Sequence, residues 1–532
     1  MMLRAITSAY TLSLAPAHRA FERAIRDVAG TQTRALTELL EANADTAFGR
    51  AHRFAELARA SDVRRAYRER VPVHAWDALA PWVDRAVRGE AHVLTREPVR
   101  LFERTSGSTS ANKLVPFTPR FLHELGMATG PWLYDLFTAH PALFGGRQYW
   151  SISPVTRARE TTPGGTPIGM EDDAEYFGPL ARWAISKTMA VPSSVAREPN
   201  VDAWRIATAR HLLAAEDLAL ISVWSPSFLV LLMRGIERAL PDLLASLPTA
   251  RTIAIRRALD RAGAFVGEAL WPRLAVVSSW ADGPAATPLA ELRTLFPRTR
   301  IQPKGLLATE GVVSFPREGD HPADAPGTRA IAAVASHALD FVDLDTERTL
   351  GPEEVREGMS LTPILSTGGG LYRYRLGDVV RCVGRAHEAP LLSFEGRVDR
   401  TSDLAGEKLD ARLVDRALER ACRDSGLAPR FVMLAPRREG SEPPSYRLYV
   451  EADDASDAAL DALAASLERI LSEGAHYAYC RRLGQLGPLD VRRVHDGTST
   501  YERGLLSRGV RAGDIKPTRL DTRTDWDRFF SG

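Results

Sequence analysis

The stretch Leu218-Ala-Leu-Ile-Ser-Val-Trp224 is a short apolar run that stops at Ser225-Pro226-Ser227 and gives way to a helical pattern over residues 228–240. A run of this length, bounded by turn residues and rich in branched side chains, suits a strand buried on both faces. Leu274-Ala-Val-Val-Ser-Ser-Trp280 repeats the arrangement, ending at Ala281-Asp282-Gly283-Pro284 before a helix near 288–296. Successive strand-turn-helix units imply a parallel sheet covered by helices. In open parallel sheets ligands gather beyond the carboxyl ends of the strands. Trp224, Ser225, Trp280, Ala281 and Asp282 are therefore candidate substrate-binding residues; the alternative for the two indoles is a place in the core.

Working outward, residues 1 to about 95 alternate helical periodicity with arginine-rich faces and read as a helical lead-in. Residues 94–102 read as a strand, and 119–137 as an amphipathic helix with Phe121, Leu125, Trp132, Leu133 and Phe137 on one face. Beyond Arg400 the texture changes: helices over 407–422 and 456–471, strands over 431–434, 446–451 and 489–494, and a capping box, Ser499-x-x-Glu502, opening a last helix. The expected fold is α/β: a large N-terminal domain, 1–398, with mostly parallel sheets covered by helices, plus a small α+β C-terminal domain, 399–532.

The charges balance, 69 basic against 67 acidic residues for a formal +2, so no global field draws the chain to nucleic acid or an anionic membrane. Three widely spaced cysteines form neither a disulfide framework nor a zinc box. The most apolar run, Phe228-Leu-Val-Leu-Leu-Met233, falls far short of a membrane span. The expectation is a soluble, cytoplasmic, monomeric protein whose partners are small molecules.

Arg104-Thr-Ser-Gly-Ser-Thr-Ser-Ala-Asn-Lys113 runs straight into Leu114-Val-Pro-Phe117. Clustered hydroxyls, a glycine and a lysine let backbone N–H groups, Oγ donors and one ammonium converge on an anion, as gripping a polyphosphate requires. Ser106, Gly107, Ser108, Thr109 and Lys113 are candidate phosphate-binding residues, with a solvated connector as the alternative. The Walker spacing is absent. Of the 69 basic residues only five are lysine: Lys113, Lys187, Lys304, Lys408 and Lys516. A chain that writes nearly every solvated cation as arginine retains lysine where a compact point charge is needed, which makes lysines suspects.

Ile301-Gln-Pro-Lys-Gly-Leu-Leu-Ala-Thr-Glu-Gly311 sets Thr309 and Glu310 between a glycine and an apolar strand. Magnesium takes one or two carboxylates and completes its shell from phosphate and water, so Glu310 is a candidate metal ligand; a surface Thr-Glu pair is the alternative. In Thr367-Gly-Gly-Gly-Leu-Tyr-Arg-Tyr-Arg-Leu-Gly-Asp378 the alternation predicts Tyr372 and Tyr374 on one face, Arg373 and Arg375 on the other. Asp378 follows a glycine, where its carboxylate suits vicinal ribose hydroxyls or completes a simple turn. Leu391-Leu-Ser-Phe-Glu-Gly-Arg-Val-Asp-Arg400 repeats the order strand, glycine, charged residue.

This order of motifs resembles that of the adenylate-forming enzymes, the acyl-CoA synthetase and luciferase superfamily. Within it, Leu371-Tyr-Arg-Tyr-Arg-Leu-Gly-Asp-Val-Val380, Gly406-Glu-Lys-Leu409 and the ending Arg508-Gly-x-x-x-Gly-x-x-Lys-Pro517 look like the bacterial branch of the Gretchen Hagen family, acyl acid amido synthetases that conjugate auxin and jasmonate to amino acids in plants. The likeness runs from about residue 30 to the C-terminus. Two positions depart from the plant pattern: Ser-Ser-Glu is Ala308-Thr309-Glu310 here, and the acid of Ser-His-x-x-Glu-Phe is Asp340. The resemblance implies that Ser106 to Thr109 with Lys113 hold the ATP phosphates, that Thr309 and Glu310 meet phosphate and Mg2+, and that Asp378 holds the ribose. It also implies that Arg397 meets the nucleotide near a hinge, and that Lys408 and Lys516 are catalytic lysines of a small domain that swings between half-reactions.

The activity so implied has two steps: a carboxylic acid is activated by Mg·ATP to acyl-AMP, and an amine, an amino acid in the family, then takes the acyl group. Positioning and charge stabilisation suffice for such chemistry, and the G-x-S-x-G elbow of a nucleophilic serine is absent. An acyl-CoA ligase shares the first step and differs in the acceptor. A non-catalytic nucleotide- or acyl-binding regulator is the alternative of another class, opposed by the joint presence of Lys113, Glu310, Asp378, Arg397 and Lys516.

Overall fold

The computed structural model describes residues 2–105, 113–151, 160–169, 183, 186–198, 200–320, 327–398, 401–438, 443–453, 455–510, 512 and 515–531. The chain forms two compact units. The first holds Met1–Ser222, Pro241–Ser279 and Arg298–Phe394; the second holds Val223–Leu240, Trp280–Pro297 and Glu395–Gly532. The second unit thus begins at Glu395 and also claims two excursions from the chain's middle, each of which follows directly on a strand of the parallel sheet.

In the first unit, strands Arg147–Trp150, Leu218–Ser222, Val276–Ser279 and Arg300–Pro303 pair in parallel in that order. Every residue of the two central strands is buried, which explains why their sequences are apolar without alternation. A larger antiparallel sheet runs Ser314–Phe315, Ala330–Ala332, Ala389–Arg397, Asp378–Ala386, Ser360–Ser366, Ala338–Asp343, Thr349–Leu350, with Tyr374–Arg375 added against Ser360–Ser366. The helical lead-in is bonded to this sheet. Gln32 Nε2 donates to Val334 O at 2.8 Å while its Oε1 accepts from Leu339 N at 2.7 Å, and Arg68 Nη2 reaches Asp340 Oδ1 at 2.6 Å. Helix Pro119–Ala139 starts where Thr118 Oγ1 accepts from Phe121 N at 3.1 Å and Pro119 occupies the first turn.

Four local expectations are corrected. The strand placed over 94–102 is Leu101–Arg104, because Thr95 Oγ1 bonds Glu97 O at 2.9 Å and Pro98 follows, holding that stretch in turns. The helix placed over 407–422 is Ala411–Ser425, capped by Asp410 accepting from Leu413 N; Lys408 has a left-handed backbone, φ 49°, and lies outside it. The Ser499–Glu502 capping box does not form, since helix Gly497–Leu506 begins two residues earlier and its first N–H, Gly497, is taken by Glu451 Oε2 at 2.9 Å. The Tyr-Arg alternation is interrupted, as described below.

The second unit carries the sheet Phe431–Arg437, Ser445–Glu451, Asp490–Arg493, with the first pair antiparallel and the second parallel. Helices Ala411–Ser425 and Asp457–Leu471 pack with it. Helices Pro226–Arg238 and Ala286–Leu295 are joined by a two-pronged Arg234–Glu291 pair at 2.7 and 2.8 Å. Among the described residues no helix is long and apolar enough to cross a membrane.

Candidate active site

Strands Leu101–Arg104 and Leu114–Phe117 pair antiparallel, and Thr105 N donates to Lys113 O at 3.1 Å beyond their last pair. Ser106, Gly107, Ser108 and Thr109, expected from the sequence to bind phosphate, lie outside the described residues. Lys113 is described, and its Nζ lies 3.3 Å from Tyr374 Oη and 5.8 Å from the centroid of the Trp76 ring. The indole face and the phenol hold the ammonium by cation–π and hydrogen-bond attraction.

Thr309 and Glu310 form the two-residue turn of a hairpin between Leu307–Ala308 and Gly311–Val312. Glu310 is buried, and its Oε1 accepts from Tyr374 Oη at 3.4 Å. A Cβ on Gly311 would lie 3.3 Å from His337 Cε1, so glycine lets the hairpin approach that ring. Lys113, Tyr374 and Glu310, from three motifs remote in sequence, therefore meet at one phenol. Among the described residues no cluster of three His, Cys, Asp or Glu side chains is placed to hold a metal. Glu310 alone suits Mg2+, which needs few protein carboxylates when phosphate and water complete its shell.

The Tyr-Arg segment is not a strand with alternating faces. Arg373 adopts φ 47°, and its Nη1 donates to Arg68 O and Val71 O at 2.7 and 2.6 Å. Tyr372 stacks on Phe48 at 4.7 Å and donates to Leu94 O at 2.6 Å, while Tyr374 turns to Lys113 and Glu310. The two tyrosines thus serve different neighbourhoods. Asp378, also buried, opens the next strand.

The residues beyond the parallel strands fall in the second unit. Trp280 N donates to Trp224 O at 3.1 Å; Trp224 is 41% exposed, so it is no core residue, whereas Ala281 and Asp282 are buried. Lys516 Nζ lies 5.7 Å from the Trp280 ring centroid, bringing a C-terminal lysine to a residue picked as substrate-binding. Arg397 ends strand Ala389–Arg397, and Lys408 is exposed on its turn.

Comparison with known families matches residues 17–301 to the GH3 family N-terminal domain, 331–397 to the GH3 family central domain and 412–524 to the GH3 family C-terminal domain. The chain belongs to the GH3 family. Among its relatives is a rice protein called probable indole-3-acetic acid-amido synthetase GH3.12, 24% identical over 94% of this chain and 92% of that one. An Arabidopsis thaliana 4-substituted benzoates-glutamate ligase is 27% identical over 31% of this chain and 32% of that one. The solved structure of AtGH3.15 acyl acid amido synthetase in complex with 2,4-DB superposes with a TM-score of 0.82 at 17% identity, covering 98% of this chain and 96% of the other.

Two polar residues of this GH3 chain gained a setting only from the structure: Glu124, which sequence reasoning missed, and Lys304, one of the suspect lysines. Glu124 Oε2 accepts from Gly368 N at 2.8 Å, and burial pushes its carboxyl up to about 7. An acid inside an otherwise apolar helix face was the available signal. Lys304, suspected only as a lysine, donates to Ser222 Oγ at 2.8 Å, with the Trp132 and Trp150 rings 5.0 and 5.5 Å from its Nζ. Burial lowers its ammonium to about 7.

Proposed function

We propose that this GH3 protein is an AMP-forming acid–amino acid ligase: it activates a carboxylic acid with ATP and passes the acyl group to an amino acid. The observation that carries the reading is the meeting of Lys113 and Glu310 at Tyr374 Oη, at 3.3 and 3.4 Å, in a chain whose relatives are named amido synthetases. In the first step a carboxylate oxygen bonds to the α-phosphorus and pyrophosphate leaves. In the second the amine nitrogen bonds to the acyl carbon, the acyl–phosphate oxygen bond breaks, AMP leaves and the amine's proton goes to solvent.

In this reading Lys113 and the hydroxyls of Ser106, Ser108 and Thr109, with the Gly107 backbone, grip the phosphates, and Thr309 and Glu310 hold the polyphosphate with its cation. Mg2+, when bound with ATP, supplies neutralisation of phosphate charge. Asp378 takes the ribose hydroxyls, Arg397 the nucleotide, and Trp224, Trp280, Ala281 and Asp282 border the acyl acid. Lys516 and Lys408 serve as lysines of the small domain 399–532, which changes orientation between the two steps. The reading includes a cytoplasmic monomer without nucleic-acid or membrane partners.

The test is a screen of carboxylic acids for ATP-dependent pyrophosphate release, each activated acid then being offered CoA or a panel of amino acids. Amide products support the ligase. A thioester would make the protein an acyl-CoA ligase, and ATP binding without acid-dependent pyrophosphate release would make it a regulator.

A further inference from the structure

His74 belongs to none of the motifs read from the sequence; it lies between helices Val63–Arg70 and Trp76–Val87 of the helical lead-in. Its backbone nonetheless joins the Tyr-Arg segment as a parallel bridge to Tyr374. His74 N donates to Arg373 O at 2.9 Å, and His74 O accepts from Arg375 N at 2.9 Å. The ring makes a third bond, its Nδ1 standing 2.7 Å from Tyr372 O. A carbonyl only accepts, so Nδ1 carries the proton. Burial lowers the imidazole's pKa from its ordinary value, so the ring is neutral at pH 7 and this N–H is the single one it has.

These bonds converge on Arg373, whose φ of 47° is left-handed. A residue with a side chain holds that conformation only where its surroundings over-determine it. The peptide unit before Arg373 is held at both ends: Tyr372 O by His74 Nδ1, and Arg373 N by Ser366 Oγ at 2.9 Å. The unit after it is held through Arg373 O by His74 N. His74 thus touches both sides of the turn that sends Tyr372 to Phe48 and Tyr374 to Lys113 and Glu310. Packing alone does not call for an imidazole here. The Phe48 ring stands edge-on to His74 at 5.9 Å, a contact that an apolar side chain of similar bulk would also make, whereas the Tyr372 carbonyl needs a donor. Two residues on, Trp76 lies edge-on to Tyr374 at 6.2 Å and beneath the Lys113 ammonium at 5.8 Å, so the same short stretch of the lead-in reaches two of the three residues that meet at the phenol.

We infer that His74 is a positioning residue for the site at Tyr374: its Nδ1–H fixes the turn at Arg373 and so aims the Tyr374 phenol at Lys113 and Glu310. It touches no reacting atom. The inference rests on the reading of Lys113 and Glu310 as partners of phosphate and cation, and adds to that site a residue of the helical lead-in.

The experiment is a double-mutant cycle in the full-length protein. It combines His74→Leu, which removes the donor and keeps bulk, with Tyr374→Phe, and adds His74→Asn, whose amide nitrogen can stand where Nδ1 does. Thermal midpoints check folding; should His74→Leu not fold, His74→Gln, whose amide reaches past the Nδ1 position, takes its place. Acid-dependent pyrophosphate exchange is measured at varied Mg·ATP and varied acid. His74→Leu is expected to raise the KM for Mg·ATP about tenfold, the scale on which members of one hydrogen-bonded network couple, and to leave the KM for the acid unchanged. His74→Asn should recover most of the loss, and in the Tyr374→Phe background His74→Leu should add little. Equal losses in both backgrounds overturn the inference, as does a fall in kcat with both KM values unchanged, or an Asn variant as impaired as the Leu variant. Absence of acid-dependent exchange with every acid in the unaltered protein refutes the ligase reading alone. The same cycle is then read in the Kd for Mg·ATP: coupling between positions 74 and 374 keeps His74 as a positioning residue, while additivity or no binding of Mg·ATP overturns it.

Discussion

Glu124 Oε2 accepts the backbone N–H of Gly368 at 2.8 Å across 244 positions of chain. From the N-cap of the same helix, Thr118 Oγ1 donates to Gly368 O at 2.8 Å, so one helix start satisfies both backbone groups of this glycine. A Cβ on the next residue, Gly369, would lie 2.6 Å from Pro116 O, in strand Leu114–Phe117. The Gly-Gly-Gly run is thus a docking strip: it fixes the segment leading to Tyr374 against strand Leu114–Phe117 and the start of the helix after it.

The Glu124 contact should make stability depend on pH in a definite direction. Burial raises its carboxyl from 4.5 to about 7. Between those values the folded state binds more protons than the unfolded state, so this group's contribution to stability falls as pH rises through the window. Glu124→Gln keeps an acceptor and removes the titration. Urea unfolding at pH 5 and pH 8 should show the unaltered protein losing up to about 3 kcal/mol relative to the variant; parallel changes in both proteins would contradict this.

Removing the phenol or carboxylate that unites three motifs should impair acid activation while leaving the fold standing. Glu310→Gln is expected to lower acid-dependent pyrophosphate exchange by roughly 10²- to 10³-fold, the scale of losing one preorganised electrostatic contact, and to raise the Mg2+ concentration required. Tyr374→Phe should weaken exchange less, because Lys113 and Glu310 both remain. Exchange kinetics at varied Mg2+, with thermal midpoints as the control, checks both.

Lys516 is exposed, and its ammonium stands over Trp280. Lys516→Ala should therefore change stability by no more than about 0.5 kcal/mol yet reduce acid activation by roughly 10²-fold or more. Unchanged pyrophosphate exchange in this variant removes its catalytic role.

Lys304 gives the opposite pH signature from Glu124. Burial lowers its ammonium from 10.5 to about 7, so between these values the unfolded state binds more protons and stability rises with pH. Lys304→Met fills the space between Trp132 and Trp150 without a charge. Its denaturation midpoint should change less between pH 7 and pH 9 than that of the unaltered protein, a difference on the order of a few kcal/mol. Equal slopes would show that the amine is solvated.

Apolar patterning, which reports local burial, was enough to place the strands at 218–222 and 276–279 and the parallel sheet they imply, since both are buried on every face. The family likeness was legible too, because it resides in short spans of residue identity. Tertiary structure alone decided where polar groups find partners. Arg373 leaves the extended alternation because its guanidinium bonds two carbonyls some 300 residues away, separated by 305 and 302 positions. Glu451 replaces Ser499 and Glu502 at a helix start, and two mid-chain excursions join the C-terminal unit. Periodicity encodes which faces are buried; it does not encode which distant donor meets a given acceptor, because hydrogen bonds of this kind are chosen only once the chain has folded and water has left.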